Sequence, residues 1–551
     1  MADYGRKNST VRLLSGAVSL VLMGVIFYLS AQKGDASDEL SMGFTSILFG
    51  GDFAMLFNTV VREIGHIVEF AVFSLPVFIF FSTFKISIKR GYYLSLVFCA
   101  LYAASDEIHQ IFVEGRAYEF LDIVADVLGA LIGLTVLRFI LARFFKKNAP
   151  APETTVSGEI NRLVADAFAS FVNNAEFNGV IDSGSASAFI EKSMRHKILS
   201  MTAPALLKPE NGVEDSVKKF VRNEVISEVV LQTRKTVKFI QAYKAMREKG
   251  AEPLCVKGII CRALYPDFDL RISSDEDLVA SDADYTVCAD VLQTLGFVIK
   301  GNDNGYETSF YHPQSGCMIE LHHTLFPDDG GVYSAFNSAL GNLFESPASV
   351  RIEQTEILCP CADKHFLYLV LHAFKHFLIS GVGIRQIADI ALFATANKTD
   401  WQKIFDSCEK LRLSGFLSAV LKIGSVYFNF DISSVNCEKF VASPDIEPML
   451  NDILNGGVYG PGDPDHLHAG IFTFNGYSEM LGVKKHRLHA ILPPKEKIRQ
   501  KYPFAEKHPV LLPAAYFIRL FSYMFSNHST ADTFDMARQR KELMRQYGIN
   551  K

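Results

Sequence analysis

This chain has no basic excess. Its 55 lysines and arginines stand against 60 aspartates and glutamates, a net charge of −5. That balance gives no electrostatic case for nucleic acid as the main partner. It also has no cysteine framework. All nine cysteines lie at or after Cys99, and the one close pair, Cys359 and Cys361, lacks zinc-finger or redox spacing. An odd count without a framework reads as reduced thiols in a cytosolic portion. A Walker phosphate loop and an internal repeat are also missing. Ser183-Gly184-Ser185 lacks a strand–turn–helix context, which leaves a serine hydrolase without support. His372 and His376 share a helix face at i,i+4, but no adjacent glutamate makes an HExxH zinc motif.

Apolar sequence is what the chain has in quantity. Hydrophobic residues make up 49% of 551 positions and charged residues 21%, with the excess in the first 145 residues. The length leaves room for two to four domains. Residues 11–31 form an apolar run long enough to span a bilayer and too long for a signal-peptide core. Further spans are expected near 64–84, 91–112 and 122–144. Basic residues cluster at three sites: Arg6, Lys7 and Arg12; Lys85, Lys89 and Arg90; Arg143, Lys146 and Lys147. The positive-inside rule makes all three cytoplasmic. The expectation is a multi-pass membrane protein with four spans and both termini in the cytoplasm, everything after residue 146 being cytosolic.

The last three spans carry His66 and Glu69, then Asp106, Glu107, His109 and Gln110, and then Asp122 and Asp126, with Arg116 in the intervening loop. Ionisable groups at such depth are costly and face a bundle interior or a polar cavity. Asp122 and Asp126 share a helix face, as do Asp106 and Gln110. They form either a functional polar site or interhelical glue. The string SDEIHQIFVEGRAYEFLDIVADVLGALIG, with the earlier HIVEF, resembles the VanZ-like membrane family over residues 11–145. That resemblance implies a cell-envelope setting, with glycopeptide (teicoplanin) resistance in one lineage, and it names no reaction.

Residues 146–158 mix basic residues, prolines, threonines and glycine without apolar period, as a membrane-exit linker does. Residues 217–250 read as one long amphipathic helix stopping at Gly250. A short buried strand then turns at Lys257-Gly258. Next come Asp275-Glu276-Asp277, where strand alternation points Asp275 and Asp277 one way and Glu276 the other. A helix at 282–295 leads to a hairpin whose second strand sets Met318, Glu320 and His322 on one face, with Glu320 beside the aspartate pair. The order of elements gives a mixed sheet with helices on one side.

This ordered set resembles the nucleotidyltransferase superfamily with a DNA-polymerase-beta-like palm. It is closer still to its uncharacterised nucleotidyltransferase family, over about residues 160–430. The resemblance implies that Asp275, Asp277 and Glu320 bind two Mg²⁺ ions. It further implies that Gly258 admits a triphosphate, that Lys257 contacts phosphate, and that Arg271, His322, His376 and Arg385 serve the nucleotide. Glu276 departs from the family pattern, where an apolar residue is usual, and suggests an edge position or a loosened strand.

The expected fold is a four-helix transmembrane bundle (1–145), a linker (146–158), an α/β nucleotidyltransferase domain with a mixed-sheet palm (159–430), and a helical extension (431–551). Within the extension, residues 491–525 read as an amphipathic segment on the membrane surface or the domain. The expected reaction transfers a nucleoside monophosphate from a nucleoside triphosphate to a protein, sugar or lipid-linked acceptor. Two alternatives are a non-catalytic nucleotide-binding module that recruits a partner to the membrane unit, and a main activity in the membrane unit that the cytosolic part regulates.

Overall fold

The computed structural model describes residues 2–32, 51–84, 88–113, 116, 119–148, 154–300, 305–328, 330–379, 381–441, 444–457, 464–482, 502–509 and 530–549, with scattered positions from 495 to 519. The chain divides into two compact units, Met1–Pro150 and Ala151–Lys551. Much of the surface segment expected at 491–525 lies outside the described residues. So does the centre of the linker. Its flanks are helical, because one helix runs to Asn148 and the next starts at Thr154.

The first unit is a bundle of α1 (Ala2–Ser30), α2 (Gly51–Ser82), α3 (Ile88–Gln110) and α4 (Phe120–Asn148). Three of these helices are long and apolar enough to cross a membrane, through Val11–Ser30, Glu63–Ser82 and Phe120–Leu137. The remaining expected span falls on α3, which does not reach that apolar measure. α3 has the length, at 23 residues, but Lys89, Arg90, Asp106, Glu107 and three tyrosines dilute its apolar content. It still packs in the bundle, where Cys99 and Ala103 join Ile26, Phe70, Phe73 and Ala130 in one core. Large apolar side chains such as Leu13, Leu20, Val21, Leu101 and Leu121 point outward. A protein in water rarely shows so large an apolar exterior.

Gly129 and Gly133, one turn apart on α4, let it touch the backbone of α2. A Cβ at Gly129 would lie 2.2 Å from the Ile67 carbonyl oxygen, and one at Gly133 would lie 2.1 Å from that of Ala71. Such small-residue pairs are how membrane helices pack closely. Gly133→Leu is therefore expected to separate α2 from α4 and lower the thermal stability of the detergent-solubilised protein. Gly24→Leu has open space around it and serves as the control.

In the second unit a five-stranded mixed sheet has the order β1-β2-β5-β4-β3. The strands are β1 (Leu254–Val256), β2 (Glu276–Val279), β3 (Val298–Ile299), β4 (Glu307–Tyr311) and β5 (Met318–His322). β2 pairs with β1 antiparallel and with β5 parallel, and β4 pairs antiparallel with both β5 and β3. Alternation along the strands feeds two cores. Cys255, Leu278, Phe310, Ile319 and Leu321 pack with the helices Asp215–Glu248 and Asp282–Thr294. Leu254, Val256 and Val279 belong instead to the larger core that includes the helix Ala362–Ile379. Helices thus cover both faces, not one as expected.

The larger core also draws the helices preceding the sheet onto those following it. His196, which ends the Ser183–Arg195 helix, ties three segments together. Its Nε2 donates to the Leu454 carbonyl (3.2 Å), while its Nδ1 accepts from the Ile384 N–H (3.2 Å). Only the neutral ring can do both. Burial, the largest influence, holds the imidazole down at about 4. In the unfolded chain it takes a proton near pH 6.5. Stability should therefore fall as the pH drops below about 6.5 and keep falling to about 4, by up to about 1.4 kcal/mol per pH unit. His196→Gln should flatten that acid slope in denaturant titrations.

Candidate active site

The site begins at the turn after β1. Lys257 has φ +49°, a backbone state that side-chain-bearing residues adopt at a cost of roughly 1–3 kcal/mol, and Gly258 follows at φ +41°. Two contacts hold the turn. The Lys257 N–H donates to His365 Nε2 (3.1 Å), and the Ile259 N–H donates to Glu276 Oε2 (2.6 Å). A Cβ at Gly258 would stand 2.1 Å from that same Glu276 oxygen. Glycine is therefore required here by Glu276, a reason for it that the sequence did not suggest. Glu276 itself is buried in a strand flanked on both sides, with Arg262 NH1 3.8 Å from its Oε1. The edge or loosened strand expected from its polarity is not found. It caps the turn and faces a buried arginine.

On the other face of β2, Asp277 stands opposite Glu320 of β5 in the parallel register. Asp277, Glu320 and His322 bring ligand atoms within 4.8 Å of one another, the one such group among the described residues. Asp275, expected to complete the set, precedes the strand and lies outside the group. It lines the adjoining cavity instead. Asp277 Oδ2 lies 3.0 Å from Lys257 Nζ, and Oδ1 lies 3.3 Å from His322 Nε2. Lys257 Nζ also donates to His372 Nε2 (3.2 Å). His322 Nδ1 is 3.5 Å from Glu307 Oε2, because the β4–β5 hairpin sets Glu307 opposite His322.

The cavity, about 350 Å³, opens beside this group. Acidic residues Asp275, Glu307 and Glu320 line it together with the basic residues Lys257, Arg271, Lys375 and Arg385, and with His372 and His376 from the Ala362–Ile379 helix. A cavity bearing both signs suits a polyphosphate with a divalent cation. Arg271 is less free than expected. Its Nε donates to Asp389 Oδ1 (3.2 Å), its second arm reaches Asp389 Oδ2, and Tyr265 Oη donates to the same carboxylate (2.8 Å). Arg385 is fastened to the Ile272 carbonyl.

Charge coupling orders the site electrically. Burial pushes the Glu320 carboxyl up, and the negative charges of Asp277 and Asp275 push it further. Burial acts on Asp277 in the same sense, but the Lys257 ammonium and His322 overcome it and keep Asp277 ionised. Burial, then the Lys257 charge, holds His372 and His376 neutral. Glu320 is thus a carboxylate short of a cation. The donor set fits a divalent metal: the two carboxylates suit Mg²⁺ or Mn²⁺, and the imidazole favours a transition ion over Mg²⁺.

Sequence reasoning missed Glu307, Lys375 and His365 as parts of the site; it set Asp389, with Arg385 and the two histidines, where helices meet the sheet, but did not pair it with Arg271. Glu307 could have been found by pairing YETSF against MIELH across the hairpin. The others depend on which helix roofs the sheet.

The membrane unit gathers its own polar residues. His66 Nδ1 lies 3.0 Å from Asp126 Oδ1, and His66 Nε2 lies 3.7 Å from Asp122 Oδ2. Asp106 Oδ2 accepts from Ser30 (2.6 Å) and Gln110 (3.1 Å), and Glu107 Oε2 accepts from the Glu119 N–H (3.0 Å). Arg116 reaches Gln110 (3.5 Å), the His109 ring packs on Phe27 (4.1 Å), and Glu69 is half-buried. The shared faces expected for Asp122 with Asp126 and Asp106 with Gln110 are present.

No curated protein and no solved structure matches the chain. Two family models do. Residues 16–142 match VanZ/LLP1, and residues 182–429 match the family described as uncharacterised nucleotidyltransferase. The chain joins a VanZ-like membrane domain to an enzyme domain of that nucleotidyltransferase family.

Proposed function

We propose that the second unit transfers a nucleoside monophosphate from a nucleoside triphosphate to an acceptor at the cytoplasmic face of a membrane. The observation that carries this reading is the register placing Asp277 against Glu320, with His322 in ligand reach, beside a cavity walled by Lys375 and Arg385. A divalent ion, when bound, would neutralise charge developing on the attacked phosphate and the departing pyrophosphate. Asp277, Glu320 and His322 are the residues to hold it. The protein groups supply orientation: Lys375 and Arg385 face the polyphosphate, and the neutral His376 offers a donor or acceptor. Asp275 stands at the cavity for the acceptor or a hydrated cation. The acceptor class is a protein side chain, a sugar or a lipid-linked intermediate, and the membrane unit keeps the enzyme near the last of these.

The topology belongs to this proposal. α3 completes a fourth pass, because it packs within the bundle and its basic start matches the other two cytoplasmic sites. A second reading, a nucleotide-binding module without turnover, draws on one observation, that both Asp277 oxygens already have partners.

The test is to incubate the detergent-solubilised protein with Mg²⁺ and each alpha-labelled nucleoside triphosphate, with and without membrane extract. Label transfer with pyrophosphate release is expected. Transfer that survives Asp275→Ala combined with Asp277→Ala would refute the assignment, and metal-dependent nucleotide binding without turnover would establish the second reading.

A further inference from the structure

A palm that loads two ions surrounds its carboxylates with two cations, and Asp277 already faces one cation supplied by the protein itself. Its Oδ2 is held by the Lys257 ammonium at 3.0 Å, leaving Oδ1 on the side of His322 and Glu320. Lys257 is fixed at several points. Its backbone sits at φ +49°, its N–H is bound to His365, and its ammonium also donates to His372 Nε2. His372 packs against that ammonium at the cavity wall, and its Nε2 is an acceptor only while the ring is neutral. A lysine held in this way by strain, two histidines and a carboxylate is a built-in cation, unlike a mobile side chain waiting for phosphate.

We infer that the Lys257 ammonium permanently takes the place of one of the two cations, so that the palm loads a single divalent ion on Asp277, Glu320 and His322. This rests on the nucleotidyltransferase reading for its purpose, but not for its measurement. The lysine supplies fixed positive charge beside Asp277 whether or not nucleotide is present, so one divalent ion and one ammonium stand where two divalent ions otherwise would.

The test counts ions. Full-length protein in detergent, stripped of metal, is titrated with Mn²⁺ alone, and bound ion is read by electron paramagnetic resonance. Ions at other sites are subtracted using the Glu320→Gln and Asp277→Ala double variant. The expected difference is one ion per chain. Lys257→Met, which keeps the side-chain length without the charge, should raise it to two. A difference of two in the wild type overturns the inference, and so does a difference of zero. A count of one that stays at one in a folded Lys257→Met protein overturns it as well. Because the wild-type count stands alone, poor folding of the variant cannot rescue the idea. Nucleotide transfer measured on the same samples separates the two claims. Transfer with two ions sinks the inference and leaves the enzyme, whereas one ion without transfer leaves the lysine's role and removes the enzyme.

Discussion

Glu320→Gln is expected to reduce nucleotidyl transfer roughly a thousandfold, about 4 kcal/mol of transition-state stabilisation, without lowering the melting temperature. The two halves of this expectation have different origins. Catalysis falls because the amide offers a metal one neutral oxygen in place of a carboxylate. Stability holds because Glu320 is not a structural carboxylate. Its side chain is about a quarter exposed, and its nearest charged neighbours include Asp277, Asp275 and Glu307. Removing one negative charge from that group relieves repulsion, so the melting temperature should stay level or rise. The opposite pattern, a lower melting temperature with transfer intact, would mean that Glu320 holds the sheet and does not serve the reaction. Steady-state label transfer and differential scanning of the same preparations make the comparison. Asp277→Asn would be a poorer probe, because it also strands the Lys257 ammonium without its anion.

Some of this site could be read from sequence and some could not, for identifiable reasons. The strand carrying Asp277, the hairpin carrying Glu320 and the glycine turn follow from period-two alternation and from backbone states that favour glycine. The long helix, expected at 217–250, runs Asp215–Glu248 and stops before Gly250, whose φ is +84°. Glu276 was misread because polarity alone does not distinguish a solvated strand face from a buried carboxylate with partners. Its partners, the Ile259 N–H and Arg262, come from a turn and helix 14 or more residues earlier. Asp275, grouped with Asp277 on alternation, stands immediately before the strand and lines the same cavity as Glu320 and Lys257. Both-sided coverage of the sheet was missed because strand patterning shows which residues are apolar, not which distant helix lies over them. α3 falls short as an apolar span because it carries Lys89, Arg90, Asp106, Glu107 and three tyrosines; Asp106 and Glu107 are buried in the bundle, while Val97 and Leu101 face outward.

The Arg271–Asp389 pair gives the second large effect. Asp389→Ala should destabilise the second unit by about 3–5 kcal/mol, because it leaves a buried guanidinium without its counter-charge. Both side chains are about 5% exposed, so water cannot replace the lost carboxylate. Tyr265 Oη loses its nearer acceptor in the same step and keeps only the Arg385 carbonyl at 3.4 Å, which adds to the cost. Set against a typical domain stability of about 5–15 kcal/mol, this is a large share, to be read as a shifted midpoint in denaturant titration. Asp389→Asn keeps an acceptor for Tyr265 and should fall between the two. Replacing both partners, Arg271→Met with Asp389→Leu, should recover much of the loss, since no charge is then buried alone. Arg271 also borders the cavity, so a role in holding nucleotide makes a different forecast. Under that role the double variant would recover stability and still bind nucleotide poorly. If Arg271 only joins the Ile384–Ala396 helix to the sheet, affinity returns together with the fold. Nucleotide affinity of the double variant therefore decides what the pair is for.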